Sequence, residues 1–136
     1  MILIDTGPIV ALFDKEDDEH AVCHDLLKTI NSPLITTIPV LTEAFYLLSF
    51  SWHIQDDLWV FVTQGNLQIY NFDRTLLKKC RELMKQYHDL PMDFADASLV
   101  AVADAENINT IFTLDKDFKV YRIKKNRRFK LLPSRL

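Results

Sequence analysis

A chain of 136 residues, 49% hydrophobic and 26% charged, has the length of one domain spanning 1–136 and the balance of an ordinary globular protein, which excludes disordered and fibrous classes. Only two glycines, Gly7 and Gly65, are present, so neither a GxGxxG fingerprint nor a P-loop can be built, and GxSxG and HExxH motifs are also missing. The net charge of −3 is unevenly spread: residues 118–136 hold eight basic and no acidic residues, leaving eight basic against nineteen acidic, or −11, in the rest.

In chain order, residues 1–5 form a short apolar run ending in an acid, the pattern of a buried strand. Thr6-Gly7-Pro8 then opens a helix to about Phe13. A charged loop, Asp14 to Asp18, precedes an amphipathic helix over 18–31 that directs Ala21, Val22, Leu26, Leu27 and Ile30 inward. Leu34–Thr37 is a second strand. Pro39 opens a helix to about Phe50, and Gln55–Gln64 forms another. Leu67–Asn71 is a third strand, and Asp73 caps a long helix to about His88. Residues 93–106 make an apolar, small-residue helix, followed by a strand at Thr110–Leu114. Two short candidate strands, Val120–Ile123 and Phe129–Leu132, finish the chain. Strands alternating with helices predict right-handed crossovers and a three-layer α/β/α fold around a mostly parallel central sheet.

With only Cys23 and Cys80, no disulfide framework is expected, and a reducing cytoplasm is the default compartment. No apolar run is long enough to span a bilayer, and Met1-Ile2-Leu3-Ile4 lacks the length and basic flank of a signal peptide.

The acids acquire meaning from the predicted sheet, because ligands in such folds sit beyond the carboxyl ends of the strands, where the strand order reverses. Asp5 ends the first strand and Asp115 follows the strand 110–114. Glu43 lies in the helix after the second strand, and Asp93 and Asp96 stand one turn apart at the start of the helix 93–106. Acids converging on one rim repel, and a divalent, oxygen-preferring cation such as Mg²⁺ or Mn²⁺ relieves that repulsion. Taken singly, each has a plainer explanation as a helix cap or first-turn acid. Glu43 is the exception, since it interrupts the apolar pattern Val40, Leu41, Ala44, Leu47, Leu48, and an inward acid there is costly unless paired with a cation.

Four stretches, Leu3-Ile4-Asp5-Thr6-Gly7-Pro8-Ile9-Val10-Ala11-Leu12, Leu41-Thr42-Glu43-Ala44, Pro91-Met92-Asp93-Phe94-Ala95-Asp96-Ala97-Ser98-Leu99-Val100-Ala101 and Thr113-Leu114-Asp115-Lys116-Asp117-Phe118, carry a resemblance to the PIN-domain ribonuclease family, and within it to small toxins of the VapC type. The resemblance spans essentially the whole chain. It implies Mg²⁺- or Mn²⁺-dependent hydrolysis of RNA phosphodiester bonds, with Asp5, Asp96 and Asp115 as metal ligands and Glu43 binding metal or orienting the attacking water. Thr6 would be the hydroxyl residue after the first acid, Asp93 a supporting acid, and Asp117 a competitor of Asp115 for the fourth position. It further implies a homodimer and, for toxins, a small antitoxin that blocks the groove. An RNA-processing nuclease without an antitoxin, or a non-catalytic module binding RNA or protein, would carry the same signature.

Lys124, Lys125, Arg127 and Arg128 in the basic segment are candidates for RNA phosphate contacts, the bland alternative being a solvated hairpin. His20 and His24 have i, i+4 spacing, but no third ligand completes a zinc set, and a solvated helix face is the better reading. The aromatics Phe45, Tyr46, Phe50, Trp52, Trp59 and Phe61 crowd two short helices; core packing accounts for about half of them, and the rest suit an interaction surface. A haloacid-dehalogenase-type phosphatase would want a second acid where Gly7 stands. A response-regulator receiver would want a phospho-acceptor after the third strand, where Asp73 has the position of a helix cap.

Overall fold

The computed structural model describes residues 1–134; Arg135, counted above in the basic segment, lies outside the described residues. Five parallel strands form one sheet in the order β3-β2-β1-β4-β7, where β1 is Ile2–Ile4, β2 Leu34–Thr36, β3 Leu67–Ile69, β4 Thr110–Phe112 and β7 Lys130–Leu132. Two-residue strands β5 (Arg122–Ile123) and β6 (Arg127–Arg128) pair antiparallel as a separate hairpin. The helices are α1 (Thr6–Phe13), α2 (His20–Thr29), α3 (Ile38–Leu47), α4 (Trp52–Thr63), α5 (Arg74–Gln86) and α6 (Phe94–Glu106).

The chain runs outward from β1 to β2 to β3, then returns past β1 to β4. Right-handed crossovers therefore set α5 and α6 on the face opposite the earlier helices. The strand order reverses between β1 and β4, which pair as Leu3 with Ile111 and Ile4 with Phe112. The expected three-layer α/β/α architecture is the observed one.

Local chemistry explains where the elements start. Thr37, read as the last residue of a strand, instead caps α3: its side chain accepts the Val40 N–H, so the helix begins at Ile38 with Pro39 in its first turn. Ser51 caps α4 by accepting the Ile54 N–H. That helix therefore begins at Trp52 rather than Gln55, and α3 stops at Leu47 rather than Phe50. Gly65, at φ +83°, supplies the left-handed turn after α4 that a side chain would resist. Asp73 caps α5, whose Leu76, Cys80 and Leu83 form one buried stripe.

One face was misassigned by the apolar pattern. In α2 the buried residue is Cys23, with Leu26, Leu27 and Ile30 half-buried along the same stripe, while Ala21 and Val22 are exposed. Cys23 behaves as a small hydrophobe and wins the inward position. The core proper lies on β1, β4 and α6, where Leu3, Ile4, Leu99, Val100, Ile111 and Phe112 have almost no exposure. Each such side chain contributes about 1.5–3 kcal/mol by leaving water.

Candidate active site

Asp5 follows β1 directly and caps α1, its Oδ1 accepting the Thr6 N–H at 2.8 Å. Asp96 occupies the first turn of α6, whose cap is Asp93; the Asp93 carboxylate accepts the Asp96 N–H at 2.8 Å. Asp115 follows β4 and caps a single-turn 3-10 helix, Lys116–Lys119, by accepting the Asp117 N–H. Carboxylate oxygens of Asp5, Asp96 and Asp115 lie within 4.8 Å of one another. Asp5 and Asp96 stand at the N-termini of two helices, whose dipoles favour negative charge there.

These acids border a cleft of about 580 Å³, which Thr6, Glu43, Asp93 and Asp117 also line. Glu43 is half-buried on α3 and stands outside the close trio. Glu43, which interrupts the apolar pattern of α3, lies at the margin of its buried face: Leu47, one turn later, is 49% exposed and lines the same cleft. The rim is fixed from behind by a 2.6 Å hydrogen bond between the buried hydroxyls of Thr37 and Ser98, which ties the cap of α3 to α6. Asp93 takes the capping part that its sequence position allowed, and its side chain is exposed.

Three residues at the site escaped the sequence reading. Thr113, fully buried, donates to Asp5 Oδ2 at 2.8 Å and accepts the Asp115 N–H at 3.0 Å, so one hydroxyl orients the Asp5 carboxylate and holds the backbone that carries Asp115. Its place two residues before Asp115 is a signal that could have been used. Tyr121, from the chain segment after the 3-10 turn, donates to Asp96 Oδ2 at 2.8 Å. Lys116 brings a positive charge to the cleft wall.

Burial pushes the Asp5 carboxyl up to about 6, against the hydrogen bonds from Thr113 and Thr6, with Asp115 and Glu43 adding repulsion. Burial, followed by repulsion from Asp5, pushes Asp96 up to about 8, while the Tyr121 hydroxyl opposes the rise. Asp117 is raised by burial and by Asp115. A bound cation would oppose both causes, favouring the ionised forms of Asp5 and Asp96. The residues fit one: the donor set is all oxygen, as Mg²⁺ and Mn²⁺ prefer, and Thr6, a residue lining the same cleft, has a buried hydroxyl with no hydrogen-bond partner among the described residues.

The remaining candidates fall elsewhere. His20 bonds the Ala11 carbonyl and stacks on His24, and no histidine belongs to the close carboxylate group among the described residues. Burial pushes the Cys80 thiol up to about 11, which suits packing and not nucleophilic attack. Of the six aromatics, Phe45 and Phe61 pack partly into the core, whereas Tyr46, Phe50, Trp52 and Trp59 are more than half exposed. Lys124, Lys125, Arg127 and Arg128 are not brought to the acid rim. The Lys124 N–H donates to Asp104 in the last turns of α6, eight residues or about 12 Å along the helix from Asp96. Arg127 is engaged by the Asn107 side chain and the Lys124 carbonyl. β5 and β6 form the hairpin, with Ile123 buried and Arg128 exposed, and Lys130–Leu132 leaves it to pair with β4. No helix is long and apolar enough to cross a membrane among the described residues.

The family profile described as PIN domain matches residues 2–124. A similar protein is Ribonuclease VapC26 of Mycobacterium tuberculosis, 26% identical over 135 residues that cover 97% of this chain and all of that protein. Among solved structures, VapC20 of Mycobacterium tuberculosis, described as a Sarcin-Ricin loop cleaving toxin, superposes with a TM-score of 0.79 at 20% identity, covering 88% of this chain and 94% of that one. VapBC2 from Rickettsia felis, bound to a DNA fragment from their promoter, gives 0.67 at 24% identity over 96% of this chain and 98% of that one.

Proposed function

This chain belongs to the PIN domain family, and from that premise we propose that it is an Mg²⁺- or Mn²⁺-dependent endoribonuclease, the toxin of a type II toxin–antitoxin pair. The observation that carries the reading is the trio Asp5, Asp96 and Asp115, with oxygens within 4.8 Å at the point where the strand order reverses. The similarity to a ribonuclease over nearly the full length of both chains supports RNA as substrate, and relatives solved as toxin–antitoxin assemblies support an antitoxin partner.

In this reading Asp5, Asp96 and Asp115 hold the cation. When bound, a divalent cation makes a water molecule more acidic and neutralises charge developing on the scissile phosphate. Thr113 keeps the Asp5 and Asp115 groups in fixed relation, and Glu43, across the cleft, accepts a hydrogen bond from the attacking water and orients it. Lys116 offers a cation to the RNA backbone at the cleft edge. In this reading Asp115 is preferred to Asp117 for the fourth acid position, and its place in the close trio supports that choice. The apolar hollow formed by Ile38, Tyr46 and Phe94 adjoins the site at Glu43 and Asp93, and suits a second copy or an antitoxin segment.

The test is cleavage of a mixed RNA by the purified chain with Mg²⁺, with Mn²⁺ and with chelator. Cleavage that depends on either cation is expected, and cation-independent or absent cleavage would reject the reading. In the same spirit, Lys124, Lys125 and Arg128 changed together to Ala should weaken RNA binding and flatten its salt dependence, leaving kcat unchanged. Affinity and salt slope equal to the parent would return this segment to a solvated hairpin. Arg127 is better left in place, since its contacts hold the hairpin to α6.

A further inference from the structure

Tyr121 is the bulkiest fully buried side chain among the described residues. Its ring packs edge-on against Phe118 and against Tyr87, each with centroids 5.0 Å away. A phenylalanine would fill that space equally well. The hydroxyl is therefore a liability to the core unless it has a partner, and its partner is the Asp96 carboxylate, at 2.8 Å.

The wedge is rigid. Its backbone N–H is held by the Asp117 carbonyl at 3.2 Å and its ring is enclosed by those of Phe118 and Tyr87, while the Tyr87 hydroxyl is engaged elsewhere, accepting the Arg122 N–H at 3.0 Å. Tyr121 thus approaches Asp96 from the protein side, opposite the cleft, and cannot turn away without emptying a packed site. Asp96 lies in the first turn of a helix, where its backbone is fixed but its carboxylate retains rotation about the side-chain bonds. Of the three clustered acids, the Asp5 carboxylate is oriented by Thr113 and the Thr6 N–H, and the Asp115 carboxylate by the Asp117 N–H. For Asp96 the orienting contact comes from Tyr121.

We propose that Tyr121 is a positioning residue for cation binding: its hydroxyl holds Oδ2 of Asp96 and so fixes the orientation of the carboxylate that would help to hold the cation. The proposal rests on the metal-site reading above and adds to it a residue outside the acid set. Partners of this kind, which orient ligands without touching the metal, typically change affinity ten- to a hundredfold when removed.

The experiment titrates Mn²⁺ into the metal-free full-length chain and follows loss of the free-ion electron paramagnetic resonance signal, for the parent, Tyr121→Phe and Tyr87→Phe. Tyr121→Phe keeps the ring and should fold, as its circular dichroism spectrum would verify. Its Mn²⁺ dissociation constant should rise at least about tenfold, and its kcat at subsaturating Mn²⁺ should fall while KM for RNA holds. Tyr87→Phe, equal in packing but with its hydroxyl on Arg122, should bind Mn²⁺ as the parent does. Parent-like affinity in folded Tyr121→Phe, or an equal loss in Tyr87→Phe, would overturn the proposal while leaving the metal site standing. A parent chain that takes up no Mn²⁺ would remove both.

Discussion

Asp96→Asn is expected to lower RNA cleavage at least about a hundredfold, equivalent to roughly 2.7 kcal/mol of transition-state stabilisation. Asparagine keeps the shape, and its amide oxygen can still accept from the Tyr121 hydroxyl, so the wedge behind the site is preserved. What it removes is the negative charge beside Asp5 and Asp115 on which cation binding depends. Asp93→Asn is the matched comparison. Asn caps helices as well as Asp does, so the hydrogen bond to the Asp96 N–H survives and cleavage should stay within a few-fold of the parent. Rates measured on each variant, with contaminating nuclease excluded, decide the matter; an Asp96→Asn enzyme as fast as the parent would show that the acid assignment is wrong.

The second large effect is on stability, and its sign distinguishes a metal site from a set of helix caps. Carboxylates about 5 Å apart repel by about 3 kcal/mol per pair at an effective dielectric near 20. Asp5 and Asp96 have folded pKa values, about 6 and about 8, above their ordinary 3.8. The folded chain therefore holds these protons more tightly than the unfolded chain does. The associated stability is fully present below about pH 4 and is lost as pH rises through 6 and then 8. Metal-free protein should accordingly melt at a lower temperature at pH 8.5 than at pH 5, and Asp96→Asn should flatten that slope. Mn²⁺ competes with the same protons, so its stabilisation should grow with pH. At a hundred times the dissociation constant it amounts to about 2.7 kcal/mol, or roughly 8 °C for a chain this size. Asp5→Asn and Asp96→Asn should be at least as stable as the parent without metal and should lose most of the Mn²⁺ increment. A variant destabilised at pH 8.5 that keeps the full increment would mark the acids as caps.

How much of this could be read from the residues depends on how local the cause is. Asp5, Asp96 and Asp115 were visible because strand ends and first helical turns are local features, and a parallel sheet brings such positions to one rim. Thr37 was misread, and the start of α4 set three residues late, for a local reason as well: a residue of this type can end one element or cap the next, and the hydrogen bond to the N–H three residues on decides. Tyr121 was invisible. It meets Asp96 across 25 positions, through a segment whose path depends on β7 joining β4. The distance of Lys124 from the acids was equally out of reach of the sequence, since long-range pairing sets its N–H on Asp104, near the far end of α6. Glu43 was half legible: its interruption of the apolar stripe was real, but it marked the edge of a buried face rather than its middle.

Thr113 and Asp5, joined by a buried hydrogen bond, are 108 positions apart in the chain, and that span has a kinetic meaning. Closing so long a loop costs entropy that local helices do not have to overcome. Neither α1 nor α6 can form the acid cluster alone, and β4 must dock beside β1 before the three carboxylates meet. A cation that recognises only the completed cluster has nothing to grip while the sheet is still assembling. It acts as a latch, slowing the parting of β1 from β4 while leaving the speed of their first meeting unchanged.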